Sequence, residues 1–381
     1  MSPLFSTSPE KRKRFLAASC ALGLVVLVAL GVFAKNGWLP STDPLTGKKT
    51  SWFGRTLSQN ASDVLGPSVA APPNPTPRYT KDYVYAGDRL VSVVDANAQE
   101  APPTDLAVWR PSTGTWWVMG GQGSQQVSQA WGLNGDKPVP GDYDGDGKTD
   151  FSVFRPGSTI NDPGTWYVLR SIDNAWEPLV VWGLGSDRLV PADYDGDGKT
   201  DRAIWRPSDG TWYIVKSSTG SSQYSLYGNN GDLPIPADYD GDGLADLAVW
   251  RDSNKTFYSI NTSNGAAQTV LTSPTIGSGS YDWHAASGDH DGDGRAEYAL
   301  YNKNTATWFI RNSATGLITT TTWGNGGDIP VHNDYDGDGK VDIAVWRSDG
   351  HWYILKSSNG SAREEIWGTS GDIPVPAFYR R

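Results

Sequence analysis

Cysteine is nearly missing: Cys20 is the single one, which excludes an internal disulfide framework even if the chain is exported. Methionine (2) and histidine (4) are scarce, and the 32 lysines and arginines are outnumbered by 42 aspartates and glutamates. A net charge of −10 argues against the basic surface that nucleic acid requires. Long helices have little support, because 44 glycines and 25 prolines among 381 residues suit short strands and turns. An all-β chain is expected. What is abundant is tryptophan, 18 residues, of which 16 lie between Trp109 and Trp367. An aromatic position must therefore recur along that stretch.

The amino terminus carries a different pattern. Residues 1–14 end in the basic cluster Lys11-Arg12-Lys13-Arg14, and Phe15 to Ala34 form an uncharged, largely apolar run. As a helix rising ~1.5 Å per residue, that run spans about 30 Å of hydrocarbon. One membrane crossing is expected, with the basic segment cytoplasmic and everything after Lys35 in the periplasm or at the cell surface. The alternative is a cleaved signal peptide ending at Val32-Phe33-Ala34, which would make the protein secreted. Residues 35–82 form a Pro-rich linker that includes Ala71-Pro72-Pro73-Asn74-Pro75-Thr76-Pro77. Residues 83–103 are read as an extra strand pair, since Tyr83 to Asp95 alternates around Gly87-Asp88. This short piece resembles a strand pair of bacterial RHS/YD repeats; the alternative is an edge strand against the next domain.

From residue 104 to 381 one phrase returns six times, beginning Asp105-Leu-Ala-Val-Trp-Arg110 and ending Asp342-Ile-Ala-Val-Trp-Arg347. Its aromatic anchors fall at 109, 154, 205, 250, 301 and 346, spaced alternately 45 and 51 residues apart. Each copy continues through a turn such as Pro207-Ser208-Asp209-Gly210 into a second aromatic strand, a third ending near Trp-Gly or Tyr-Gly, and a Pro-rich fourth. Four short strands per unit at this spacing predict a six-bladed β-propeller with four-stranded blades. Blades bury both faces, so Leu106, Val108 and Trp109 are apolar in succession, and Trp109, Trp205, Trp250 and Trp346 are expected in the core.

Between the Pro-rich strand and the next anchor strand lies an acidic nonapeptide, found five times. Its positions one, three, five, seven and nine are Asp142, Asp144, Asp146, Lys148 and Asp150 in the first copy. They are Asp193, Asp195, Asp197, Lys199 and Asp201 in the next, then Asp238, Asp240, Asp242, Leu244 and Asp246. The last two copies hold Asp289, Asp291, Asp293, Arg295 and Glu297, then Asp334, Asp336, Asp338, Lys340 and Asp342. Carboxylates at alternate positions of a tight loop converge on one point, glycine at position six allows the reversal, and a hard cation needs six or more oxygens. Four carboxylates in nine residues repel one another unless a cation sits among them. About five Ca²⁺ sites are expected, with position seven contributing a backbone carbonyl and its side chain free to vary. An EF-hand is excluded, because position nine is the last ligand and opens a strand.

These DxDxDGxxD loops between propeller strands resemble FG-GAP/VCBS-type repeats, the family that includes the integrin α-subunit propeller. The resemblance covers Thr104 to Arg381 and implies a calcium-binding propeller; the shorter units, six in number, leave integrin partners behind. The chain holds five acidic loops for six units. Ile373 to Tyr379 repeats the Pro-rich strand with no loop after it, while the positions before Asp105 are Asn97, Gln99 and Ala101. The carboxy-terminal strand is therefore expected to complete the first blade and close the ring.

No enzyme is expected, since His284, His290, His332 and His351 form no catalytic motif. The functions that remain are a protein-interaction or adhesion scaffold, expected as a monomer, or a lectin-like glycan binder, with an accessory domain of a polysaccharide-active enzyme behind both. The candidate ligand face is the irregular stretch Tyr281, Asp282, Trp283 and His284, where Trp283 replaces the aspartate of other units. The competing expectation is that Trp283 folds back over the fourth blade.

Overall fold

The computed structural model describes residues 82–86, 89–94, 103–120, 126–271, 276 and 282–379, with the backbone alone for 82–94 and 271. The expected membrane span, Phe15 to Ala34, and the Pro-rich linker before residue 82 lie outside the described residues.

Six four-stranded antiparallel sheets make the six blades. Blade four shows the pattern: Leu233–Pro234, Leu247–Arg251, Thr256–Ile260 and Ala267–Leu271 lie side by side in that order. The short first strand is Lys137–Pro138 in blade two, Arg188–Leu189 in three, Trp283–Ala285 in five and Ile329–Pro330 in six. In blade one it comes from the other end of the chain: Ile373–Pro374 pairs with Trp109 and Val108. The carboxy-terminal strand thus closes the ring, as the unit arithmetic required.

Burial falls off outward across each blade. All four residues Leu106 to Trp109 of the second strand are buried, because neighbouring blades cover both faces. In the third strand only alternate residues are buried, such as Trp212 and Ile214, and the outer strand Ser222–Leu226 is half solvated. The recurrent tryptophans are core: Trp109, Trp205, Trp250 and Trp346 are at most 1% exposed. Their indoles are also tied to the backbone, since Trp205 and Trp212 Nε1 both donate to the Tyr227 carbonyl, at 3.2 and 2.8 Å. In blade three the turn between second and third strands takes glycine, whereas Lys255 and Ala306 hold the same left-handed position in blades four and five. Gly210 has φ +68°, and a Cβ there would sit 2.2 Å from the Gly228 oxygen.

Opposite the acidic loops, an ion pair fixes the start of the short strand. Arg155, Arg206, Arg251 and Arg347 bond through Nε and Nη2 to the buried Asp136, Asp187, Asp232 and Asp328. Arg110 does the same with Asp372 across the ring closure. Blade five has lost both partners, and Trp283 there pairs with Asn302. Trp283 is 9% exposed and packs edge-on against Trp250 and Phe309, with ring centroids at 6.0 and 5.5 Å. Its Nε1 donates to Asp252 at 2.6 Å. These surroundings give Trp283 a packing role between blades four and five.

The strand pair Asp82–Ala86 and Arg89–Val94 forms its own antiparallel sheet and extends no blade edge. Its backbone lies beside the short strands Trp283–Ala285, Lys137–Pro138 and Arg188–Leu189.

Candidate metal centres

Each acidic loop joins a short first strand to the second strand of its blade, and the fold brings its carboxylates together. Oxygens of Asp142, Asp144 and Asp146 lie within 4.8 Å of one another, as do those of Asp193, Asp195 and Asp197. The same holds for Asp238, Asp240 and Asp246, for Asp289, Asp291 and Glu297, and for Asp334, Asp336 and Asp342. Positions one and three therefore converge in all five loops. Asp150 and Asp201 stand outside the tightest cluster in the first two, and Asp242, Asp293 and Asp338 in the others.

Backbone N–H groups explain how so many acids are held. Both oxygens of the position-one aspartate accept from glycines four and six of the loop: Gly145 and Gly147 donate to Asp142 at 2.6 and 2.9 Å. The other four loops repeat this pair. Position five accepts from the N–H of position seven, as Asp242 does from Leu244 at 2.9 Å. The position-nine acid accepts the N–H of position two, as Asp246 does from Tyr239 at 3.0 Å. Its other oxygen accepts an N–H from the turn between third and outer strands, Thr262 in this blade at 2.9 Å.

Position three is left wanting in three of the five loops. Asp195, Asp240 and Asp336 each bury an Oδ1 with no hydrogen-bond partner, which is costly unless something else meets it. Burial also raises the acids: Asp150, Asp201, Asp238, Asp342 and Glu297 are pushed up to about 7, Asp246 to about 8, and Asp289 and Asp334 to about 6. Desolvation is the main cause, and neighbouring carboxylates add to it. A hard cation relieves both conditions, so the residues fit a metal ion.

The sequence reading missed the turn that covers each loop. Ser217 Oγ donates to Asp197 at 2.8 Å and Ser218 Oγ to Asp195 at 2.6 Å. Ser357 and Ser358 repeat this on Asp338 and Asp336, Ser171 does so on Asp146, and Ser313 on Asp293. Asn261 and Asn312 donate Nδ2 to Asp240 and Asp291. The signal was present in the recurring turns Lys216-Ser-Ser, Asn261-Thr-Ser, Asn312-Ser and Lys356-Ser-Ser.

The loops are also bonded to one another around the ring. The N–H at position eight donates to the position-one carbonyl of the preceding loop: Thr200 to Asp142, Ala245 to Asp193, Ala296 to Asp238 and Val341 to Asp289, at 2.7 to 2.8 Å. Thr104 bonds to Asp334 at 2.9 Å and Thr149 to Phe378 at 2.8 Å, which completes the circle through the blade that has no acidic loop. Position seven is less free than expected. Lys199, Leu244, Arg295 and Lys340 lay their stems over glycine four of the preceding loop, where an added Cβ would meet them at 3.0 to 3.6 Å. At position two, tyrosine hydroxyls such as Tyr194 bond a carbonyl four residues back, and His290 Nε2 does the same with Ala286 at 2.9 Å.

The ligand-face candidates fall elsewhere. Asp282 is exposed and lies 3.6 Å from His284 Nε2, Trp283 is buried as described, and Tyr281 is outside the described residues.

Comparison with known proteins agrees with the repeat. Residues 193–249 and 238–300 match the FG-GAP-like repeat model. No curated protein matches the chain. Among solved structures, a streptogramin B lyase is similar at 10% identity and TM-score 0.43, covering 76% of this chain and 89% of that one. Apo AztD from Citrobacter koseri is similar at 9% identity and TM-score 0.43, covering 71% and 84%. A chain of the mitotic checkpoint complex aligns at 12% identity and TM-score 0.41, covering 84% and 88%. Residues 193–300 thus carry FG-GAP-like repeats, within a chain folded as a six-bladed β-propeller.

Proposed function

We propose that the protein is a membrane-anchored, extracytoplasmic propeller that binds five Ca²⁺ ions and serves as a protein-interaction or adhesion scaffold, without catalysis of its own. The observation that carries the reading is the closed ring of loop-to-loop hydrogen bonds beneath the five acid clusters. A cation ordering one loop holds the position-one carbonyl on which the next blade depends, so metal would set the rigidity of that whole rim. Calcium suits an all-oxygen, carboxylate-rich loop better than magnesium, which keeps its waters and resists crowded protein cages. When bound, calcium supplies charge neutralisation and fixed geometry, while the chain's own carboxylates, serines and asparagines position it. The basic cluster before Phe15 and the Pro-rich linker support display outside the cytoplasm.

Copurification of envelope proteins with the full-length chain tests the reading. A protein partner retained in calcium and released by chelator is expected. Turnover of a polysaccharide by the chain, with no retained partner, would overturn it.

A further inference from the structure

We propose that the groove between blades six and one binds a single neutral sugar ring. This goes beyond the scaffold reading and does not depend on it. The groove encloses about 320 Å³, at the small end of ligand sites, which run from about 300 to 1,000 Å³. Its walls are two indoles, Trp367 of blade six and Trp117 of blade one. Trp367 is locked in place, because its Nε1 donates to the Trp117 carbonyl at 3.0 Å. The next residue, Gly368, has φ +98°, and a Cβ there would come within 2.9 Å of Val108, so the two blades can meet at this depth only at glycine.

The polar groups decide the ligand class. Arg110 stacks over Trp117 at 5.4 Å and spends Nε and Nη2 on Asp372, whose side chain is 1% exposed. Its charge is thereby balanced while its guanidinium still lines the groove. Its counterparts Arg206, Arg251 and Arg347 lie instead over tyrosines, and Arg347 Nη1 donates to the Tyr353 hydroxyl at 3.0 Å. Trp117 replaces that tyrosine and removes the hydroxyl. Thr369, which accepts from Arg110 Nη2 at 3.3 Å, and the exposed Gln126 complete the polar edge. A charge-balanced donor, a hydroxyl and an amide beside two indole faces fit a ring with hydroxyls on its rim and C–H groups on its face. The overall charge of −10 further disfavours an anionic ligand.

The equivalent groove between blades one and two marks the contrast. It holds about 240 Å³, with Leu133 in place of the threonine and Tyr167 in place of the second indole. The junction of blades one and two therefore lacks both the second indole and the threonine hydroxyl of the closure junction.

The test is saturation-transfer NMR on the full-length, calcium-loaded chain with methyl glycosides of glucose, galactose, mannose, fucose and N-acetylglucosamine. At least one should receive saturation at its ring C–H protons, and Trp117→Tyr, the residue that four of the other five blades carry, should weaken it about tenfold. Gln126→Ala lies on an exposed strand and should weaken it several-fold with an unchanged melting temperature, which keeps the test valid if the tryptophan variant misfolds. No transfer to any glycoside at about 10 mM would overturn the proposal. So would glycoside binding untouched by both substitutions, or a proline-rich peptide that occupies the groove when no glycoside does.

Discussion

Deleting Ile373 to Arg381 should open the ring, and the cost can be worked from the contacts removed. The strand buries Val375, Phe378 and Tyr379, none more than 7% exposed. At about 1.5 to 3 kcal/mol for each fully buried side chain, the loss is roughly 5 to 9 kcal/mol, an upper estimate because the unfolded chain is not fully extended. Three backbone hydrogen bonds go as well: Val375 N to Ala107, Asp105 N to Ala377 and Thr149 N to Phe378, at 2.8, 3.1 and 2.8 Å. Each contributes about 1 kcal/mol net. The sum approaches the whole stability of a domain, about 5 to 15 kcal/mol. The truncated chain should be largely unfolded, or should melt more than about 15 °C lower by calorimetry. A milder probe is Tyr379→Ala. That ring stacks on Phe151 at 5.3 Å and its hydroxyl donates to Val375 at 2.8 Å, so a loss of about 3 to 5 kcal/mol is expected. A truncated chain with the parent's melting curve would refute closure through this strand.

Three further outcomes follow from the same structure. Raised acids such as Asp246, at about 8, and Asp150, Asp201, Asp238 and Asp342, at about 7, stabilise the fold in their protonated form. That contribution is complete below the unfolded value near about 4 and lost as pH rises through about 7 to 8, so metal-free protein should melt higher at about pH 5 than at about pH 8. Calcium should reverse the order, and scanning fluorimetry in chelator and in calcium at the two pH values reads both; equal curves in all four conditions would contradict it. Trp283→Ala should lower the melting temperature by roughly 6 to 15 °C with calcium content unchanged, because it removes a packed indole worth about 3 to 5 kcal/mol. An unchanged melting temperature would return Trp283 to the list of ligand contacts. Protease added to intact cells or spheroplasts should cut in the linker and release the propeller; a protected propeller would reverse the orientation expected from Lys11 to Arg14.

The ring and its acidic loops were legible because both are written as repeats. Six copies of one strand phrase fixed the blade count, and Ile373 to Tyr379, a further copy of the Pro-rich strand, pointed to the closure strand that pairs Ile373 with Trp109. The position-three and position-one acids came through for the same reason: spacing alone brings Asp238 and Asp240 together. What escaped depends on neighbours that no single unit contains. Ser217 and Ser218 reach their acids from a turn more than 15 residues away, and a lone serine pair carries no metal signature. Position seven looked unconstrained within its own loop, yet Lys199 lies against Gly145 of the loop before. Trp283 resembled a ligand residue because it broke the pattern. The compensating change at Asn302, which removes the arginine partner of the lost aspartate, lies 19 residues on and explains the exchange as packing.

On the proposed reading, each of the five acidic loops holds one calcium. Native mass spectrometry of the full-length chain in calcium should count five ions, with Asp146→Ala and Asp240→Ala each leaving four and the remaining sites filled. A parent chain that carries no calcium, or variants that still carry all five, would contradict the account.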